Sequence, residues 1–220
     1  WFSEIPLHWR RLSILWPEMP RFLTSSMNMG FVSFLTFAMQ SGPLLLLGIF
    51  SDQRQVGLYA VGDRLVMVQY FIFSIVLVAA AQKLSTLYYQ RKLNEFQRAA
   101  NRSALVSTLG ALPVAVLILI FPTWALLLFG DGFEGAELLV RLLCLAHLTS
   151  VFLGGGGYLL MIAGHESTLR NIQVISALFL LVLDILLIPF FGALGAAFAA
   201  LLAYSFRYLA INYTMKRLLG

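Results

Sequence analysis

Charge is what this 220-residue chain has least of. Asp, Glu, Lys and Arg make up 11 % of it, while 60 % is apolar and the mean hydropathy is +0.86. Soluble domains average about 25 % charged residues, so the composition points to a membrane protein. Cysteine is nearly absent. Cys144 stands alone, which excludes an intrachain disulfide and implies no metal cluster. Enzyme signatures are missing too: no phosphate-cradling G-x-x-x-x-G-K-[ST], no G-x-G-x-x-G, no G-x-S-x-G elbow. His165-Glu166 lacks the second histidine of a zinc helix, and the acids Asp131, Glu134 and Glu137 lack the spacing of a calcium loop. We therefore expect no enzyme, no cofactor and no metal. Nothing resembles a cleavable signal peptide, because Trp1–Pro20 is too polar for its apolar core. The chain opens on Trp1 rather than methionine, and we expect a longer protein with further chain upstream.

Long apolar runs are what the chain does have. Six segments, roughly 27–50, 57–82, 103–124, 136–163, 168–190 and 194–214, are each long enough to cross about 30 Å of hydrocarbon. The loops between them sort by charge. Twelve of the 15 Lys and Arg fall before the first segment, in the second and fourth loops and in the tail. The third loop is acidic and the fifth is uncharged. By the positive-inside rule both termini face the cytoplasm, as an even number of spans requires. The fold class expected is an all-α integral membrane bundle of six transmembrane helices. Residues 1–26, with Trp1, Trp9, Trp16, Arg10 and Arg11, read as a cytoplasmic interfacial lead-in. Residues 27–220 are expected to form the six-helix lobe, with an amphipathic cytoplasmic loop at about 83–102. Its Leu84, Leu87, Tyr88, Leu93 and Phe96, at near-helical spacing among five basic residues, read as an interfacial amphipathic helix, the plainer alternative being a solvated connector. The pI near 9.6 reflects basic residues at membrane boundaries, so membrane lipids rather than nucleic acid are the expected partner.

The spans are broken in places where passive anchors are not. Gly42-Pro43 interrupts the first, Pro113 the third, and Gly154–Gly157 the fourth. Proline removes a helical hydrogen bond, and in lipid the freed carbonyl needs a neighbouring helix or a wet cavity. In the last span Gly192, Ala196 and Ala200 form one small-residue row and Gly195, Ala199 and Ala203 another, which lets helices pack closely.

Charges inside the spans carry the functional argument, since each costs at least about 2.5 kcal/mol in hydrocarbon. Asp63, Arg64, Arg141 and Asp184 all lie within about 10 Å of the outer boundary by helical rise, and are candidates for one belt in the outer half. A plainer reading pairs Arg141 with Glu137 four residues earlier on one helix face. His147 lies deeper, and its ordinary titration near neutrality suits proton coupling, although a helix–helix hydrogen bond is the commoner fate. Arg207 sits near the inner end and reads as a snorkelling anchor.

Four stretches, Val56–Leu65, Ile120–His147, Gly157–Glu166 and Leu187–Tyr204, together resemble bacterial polysaccharide and O-antigen flippases of the multidrug/oligosaccharidyl-lipid/polysaccharide exporter superfamily. VGLYAVGDRL (Val56–Leu65) is similar to that family's turn into a helix. IFPTWALLLFGDGFEGAELLVRLLCLAH (Ile120–His147) is similar to its proline-ended span, short external loop and next helix. GYLLMIAGHE (Gly157–Glu166) resembles a helix end, and LIPFFGALGAAFAALLAY (Leu187–Tyr204) a signature near the family's C-terminus. In that order they match the C-terminal half. The resemblance implies one lobe of a two-lobe exporter that moves undecaprenyl-diphosphate-linked oligosaccharide across the bacterial inner membrane for polysaccharide biosynthesis. It implies Arg64 and Arg141 as substrate-binding residues for the diphosphate or sugar, and Asp184, His147 and Asp63 as ion-coupling residues. Partners would be the N-terminal lobe of the same protein or a second copy, and the polysaccharide polymerase machinery. Asp184 departs from the family's frequent asparagine. Competing readings are a multidrug or lipid II-type exporter, a membrane glycosyltransferase or polymerase, and a non-transporting scaffold or remnant. An apolar, acidic cavity would favour drugs, a cationic one the lipid carrier.

Overall fold

The computed structural model describes residues 19–219, apart from 131, 134 and 154, and these residues are helical almost throughout. Among them seven helices follow one another: α1 Met19–Phe50, α2 Gln53–Tyr89, α3 Leu93–Ile120, the short α4 Pro122–Leu127, α5 Glu137–Leu153, α6 Gly155–Ile162 and α7 Glu166–Leu219. Among the described residues five stretches are long and apolar enough to cross a membrane: Leu23–Phe50, Gln53–Tyr89, Asn94–Ile120, Glu137–Ile162 and Glu166–Leu218. Most of the interfacial lead-in expected at 1–26 lies outside the described residues; from Met19 the chain is already in α1.

The fifth stretch is not a straight rod. Drawn straight, α7's 54 residues would run about 80 Å, far beyond a bilayer. At Gly192 the backbone leaves helical geometry (φ 55°, ψ −133°) and the chain turns back on itself. Phe179 and Phe206 pack with tilted rings, centroids 5.5 Å apart, although 27 residues of straight helix would separate them by about 40 Å. Thus α7 is a hairpin with arms 166–191 and 193–219. Pro189 stands just before the turn, and Gln55 of α2 accepts a hydrogen bond from the Ala193 amide (3.0 Å), which serves an orphan donor at the start of the second arm.

The rest of the bundle assembles around α5 and that second arm. In Glu137–Ile162 60 % of the most apolar window is buried, against 17–22 % in the other four stretches, so this helix is central. The small-residue rows of the second arm do what their spacing predicts: Ala193, Ala196, Ala197, Ala199, Ala200 and Ala203 are all essentially inaccessible. Ala196 and Ala200 pack into a cluster with Leu65, Val66, Leu139 and Leu143, while Ala199 and Ala203 pack with Met39, Leu160 and Leu180. Outside, the surface is apolar, with Phe34, Phe37, Ile49, Phe71, Val78 and Leu186 all exposed. Inside are buried Gln69, His147, Ser150, Gln173, Ser176, Asp184 and Arg207. Polar groups inside and apolar ones outside reverse the order of a soluble protein.

Two expectations about chain segments change. The stretch 83–102 is not a separate helix along the membrane surface. α2 continues to Tyr89, a tight turn with Arg91 at φ 58° follows, and α3 starts at Leu93. Its apolar residues serve the pairing of these helix ends: Leu84, Leu87 and Phe96 pack together and against Leu159 and Ile162. The third segment also ends earlier than expected, at Ile120, because Pro122 starts the separate helix α4 and carries Trp124 with it.

The two ends of the bundle differ in charge. At one end Ser25 donates to Glu166 (2.9 Å) and Arg170 to Asn28 (2.8 Å), and Gly156 packs on Ile211 and Met215. The same end holds the α2–α3 turn, so Lys83, Arg91, Lys92, Arg98, Arg102, Arg170, Lys216 and Arg217 gather there. The other end holds the Ser51–Asp52 turn and the tip of the α7 hairpin, joined through Gln55.

Candidate functional site

Pro43 organises the interior. It sits inside α1, has no N–H to give, and so frees the carbonyl of Met39 one turn earlier. Tyr204, on the second arm of α7, donates its hydroxyl to that carbonyl at 3.3 Å. The bond fixes the Tyr204 ring, which meets the His147 ring edge-on at 5.7 Å. Asp63 of α2 reaches the same histidine, its Oδ1 3.9 Å from His147 Nε2. That is electrostatic contact rather than a hydrogen bond. It is the one acid–base pair within 4 Å among the described residues. Three helices thus bring a carboxylate, an imidazole and a phenol together in the bundle.

Arg207 joins them from one turn further along α7. The expected snorkelling anchor is instead buried, at 9 % exposure. Its guanidinium lies 4.4 Å from the Tyr208 ring centroid and 5.3 Å from that of Tyr204, donates to the Tyr208 hydroxyl, and approaches the Met39 sulfur at 3.9 Å. Its position within the bundle, with aromatic faces to stack on, holds it inside. Sequence spacing alone placed it near the boundary; the tyrosines at 204 and 208, flanking it by three and one, were the overlooked signal.

Asp184 lies apart from this cluster, on the first arm of α7. It is 1 % exposed, and its Oδ1 has no hydrogen-bond partner. It borders a groove of about 630 Å³ between α1 and α7, otherwise lined by apolar side chains such as Phe31, Met39, Pro43, Leu46 and Leu180.

The two outer arginines do not share these surroundings. Arg64 is exposed on α2. Arg141 is exposed on α5 and donates Nε–H to the carbonyl of Leu119 at 3.1 Å. That carbonyl belongs to the last turn of α3, where a cation is favoured by the helix end. The expected Glu137–Arg141 pairing is absent among the described residues; the guanidinium goes to the helix end instead. The belt of four therefore divides: Asp63 with His147, Asp184 buried alone, Arg64 and Arg141 outside. No group of three or more His, Cys, Asp or Glu that could hold a metal occurs among the described residues. Cys144 is buried, accepting from Gln69 (3.0 Å).

An apolar exterior around a buried polar interior defines a multi-pass, all-α membrane protein. The chain is similar to an uncharacterized membrane protein of Methanocaldococcus jannaschii, MJ1068, with 27 % identity over 176 residues. The match covers 79 % of this chain and 33 % of that protein, so the chain spans about a third of its relative's length. No family model and no solved structure matches.

Proposed function

We propose that this chain is one lobe of an ion-coupled flippase that moves lipid-linked oligosaccharide across the bacterial cytoplasmic membrane. The carrying observation is the Asp63–His147 pair with Tyr204 and Arg207 in the interior of a bundle whose outside is apolar. A scaffold has no use for such groups, which are costly in a bilayer and mark ion or substrate paths. The motifs resembling polysaccharide exporters support the same reading. In it the α7 hairpin makes two crossings, so the lobe has six spans, and the basic end faces the cytoplasm with both termini. Asp63 with His147 forms one site for the coupling ion, and Asp184, apart from them, a second. Arg64 and Arg141 stay exposed on the lobe and meet the anionic headgroup once a second lobe closes the cavity; Arg141 still has its two amino groups for this. No chemical step is catalysed.

The test uses the full-length protein in cells that depend on it for surface polysaccharide. Asp63→Asn is expected to abolish surface polysaccharide and to accumulate its lipid-linked precursor, with protein levels intact. Normal export in that variant would sink the coupling role.

A second reading has one specific observation in its favour. The groove beside Asp184 is apolar and acidic, which suits a lipophilic cation and hence a multidrug exporter. Uptake of a fluorescent lipophilic cation by the same cells separates the two. Asp184→Asn raises uptake if drugs are the cargo and leaves it unchanged if they are not.

A further inference from the structure

Arg207 is not one of the three residues assigned to the coupling ion, and a guanidinium inside a bundle is costly in a bilayer. Its guanidinium is buried, and Nε–H has no partner. Among the described residues no carboxylate lies within 4 Å of it. It borders a small cavity of about 20 Å³ lined by Thr36, Gln40, Tyr70, His147, Ser150, Tyr204 and Tyr208. That is room for a single water-sized occupant.

Donor accounting says what kind of occupant fits. Three hydroxyl protons of the lining are committed elsewhere: Thr36 donates to the Val32 carbonyl, Ser150 to that of His147, and Tyr204 to that of Met39. Tyr208 accepts from Arg207 and keeps its own proton to give. Tyr70, which lines the same cavity, adds a hydroxyl donor, and Gln40 brings an amide that both donates and accepts. The cavity is therefore lined by a fixed positive charge and by uncommitted donors, and among the described residues no carboxylate lines it; Asp63 instead meets His147. A water fits the space but leaves the guanidinium uncompensated in a low-dielectric interior. A small monatomic anion, not far from water in size, also balances the charge.

We propose that this cavity is a binding site for a small monovalent anion of the size of chloride, held by Arg207, Tyr208 and Tyr70. The proposal does not depend on which cargo the lobe moves, since it concerns how α1, α2, α5 and the second arm of α7 are held together. An anion there ties four elements at one point and makes the packing of the bundle sensitive to halide.

The experiment is thermal unfolding of the full-length protein in detergent, in sodium chloride or sodium bromide against sodium gluconate at matched ionic strength. The expected result is a midpoint that rises saturably with either halide and not with gluconate, which is too large for the cavity. Arg207→Gln is expected to flatten that dependence. If Arg207→Gln does not fold, Tyr70→Phe, which keeps the ring and removes one donor, is expected to shift saturation to higher halide. Equal midpoints in chloride and gluconate would overturn the proposal and leave water as the occupant. A halide effect that persists unchanged in the variant that folds would place the anion elsewhere, and overturn it equally.

Discussion

Pro43 and Tyr204 are 161 positions apart in sequence and act on the same carbonyl. The Met39 oxygen loses its helical donor to the proline and regains one from the tyrosine hydroxyl. If that is Tyr204's structural task, its worth depends on the proline. Tyr204→Phe is expected to cost about 0.5–1.5 kcal/mol of unfolding free energy, with about 0.6 the average for polar contacts between membrane helices. In a Pro43→Ala background the backbone amide at position 43 again donates to Met39, and the same change is expected to cost measurably less. Chemical denaturation of the four proteins of the cycle checks this, and equal costs in both backgrounds would separate the two residues. The break at Pro43 was legible in the sequence, as was the need for a partner. The partner itself was not, because a hydroxyl on a distant helix leaves no local pattern. Arg207 shows the same limit. Spacing from the end of a span measures depth, but whether an arginine snorkels outward or stacks inward depends on which aromatic faces stand beside it. Asp63, Asp184 and His147 were legible for a plainer reason, since a titratable side chain within an apolar run is conspicuous wherever it points.

Among the elements, the α7 hairpin is the least ordinary. A Cβ at Gly195 would lie 2.5 Å from the Leu187 carbonyl oxygen and 2.7 Å from its carbon, and neither backbone atom can swing aside. At Gly192 the obstacle is different: the backbone sits at positive φ, and the nearest atoms belong to the flexible Gln55 side chain, 2.9 Å away. Gly195→Ala is therefore expected to open the turn and cause loss of monodisperse protein in size-exclusion chromatography. Gly192→Ala carries backbone strain of about 1–3 kcal/mol and is expected to lower the thermal midpoint while leaving a folded peak. Gly42→Ala, with nothing within 4 Å of the added methyl, serves as the tolerated control. The small-residue rows around these glycines foretold close packing correctly. The same kind of pattern misled at 83–102, because apolar residues at helical spacing look alike whether a helix lies on a membrane or two helix ends pack on each other.

At the scale of the whole molecule, the charge asymmetry of the loops and the geometry of the bundle bear on one another. Among the described residues the loops rich in Lys and Arg converge on one end, and the α7 tip and the Ser51–Asp52 turn converge on the other. If the Gly192 hairpin crosses the bilayer twice, its tip lies opposite the α2–α3 turn. If α7 dips into the membrane without crossing, or lies outside it, the two are reached from the same side. Single cysteines at Lys92, Arg54 and Phe191, all exposed positions, distinguish these arrangements with an impermeant thiol reagent. Cys144 can remain in place because it is fully buried. Arg54→Cys and Phe191→Cys are expected to label while the cytoplasmic membrane is intact, and Lys92→Cys only after it is opened. Labelling of Phe191→Cys under the same conditions as Lys92→Cys would end the six-span reading. It would also remove the inward-facing orientation of the basic end as a guide to where Asp63 and His147 meet their ion, since both lie on helices whose depth is measured from that hairpin.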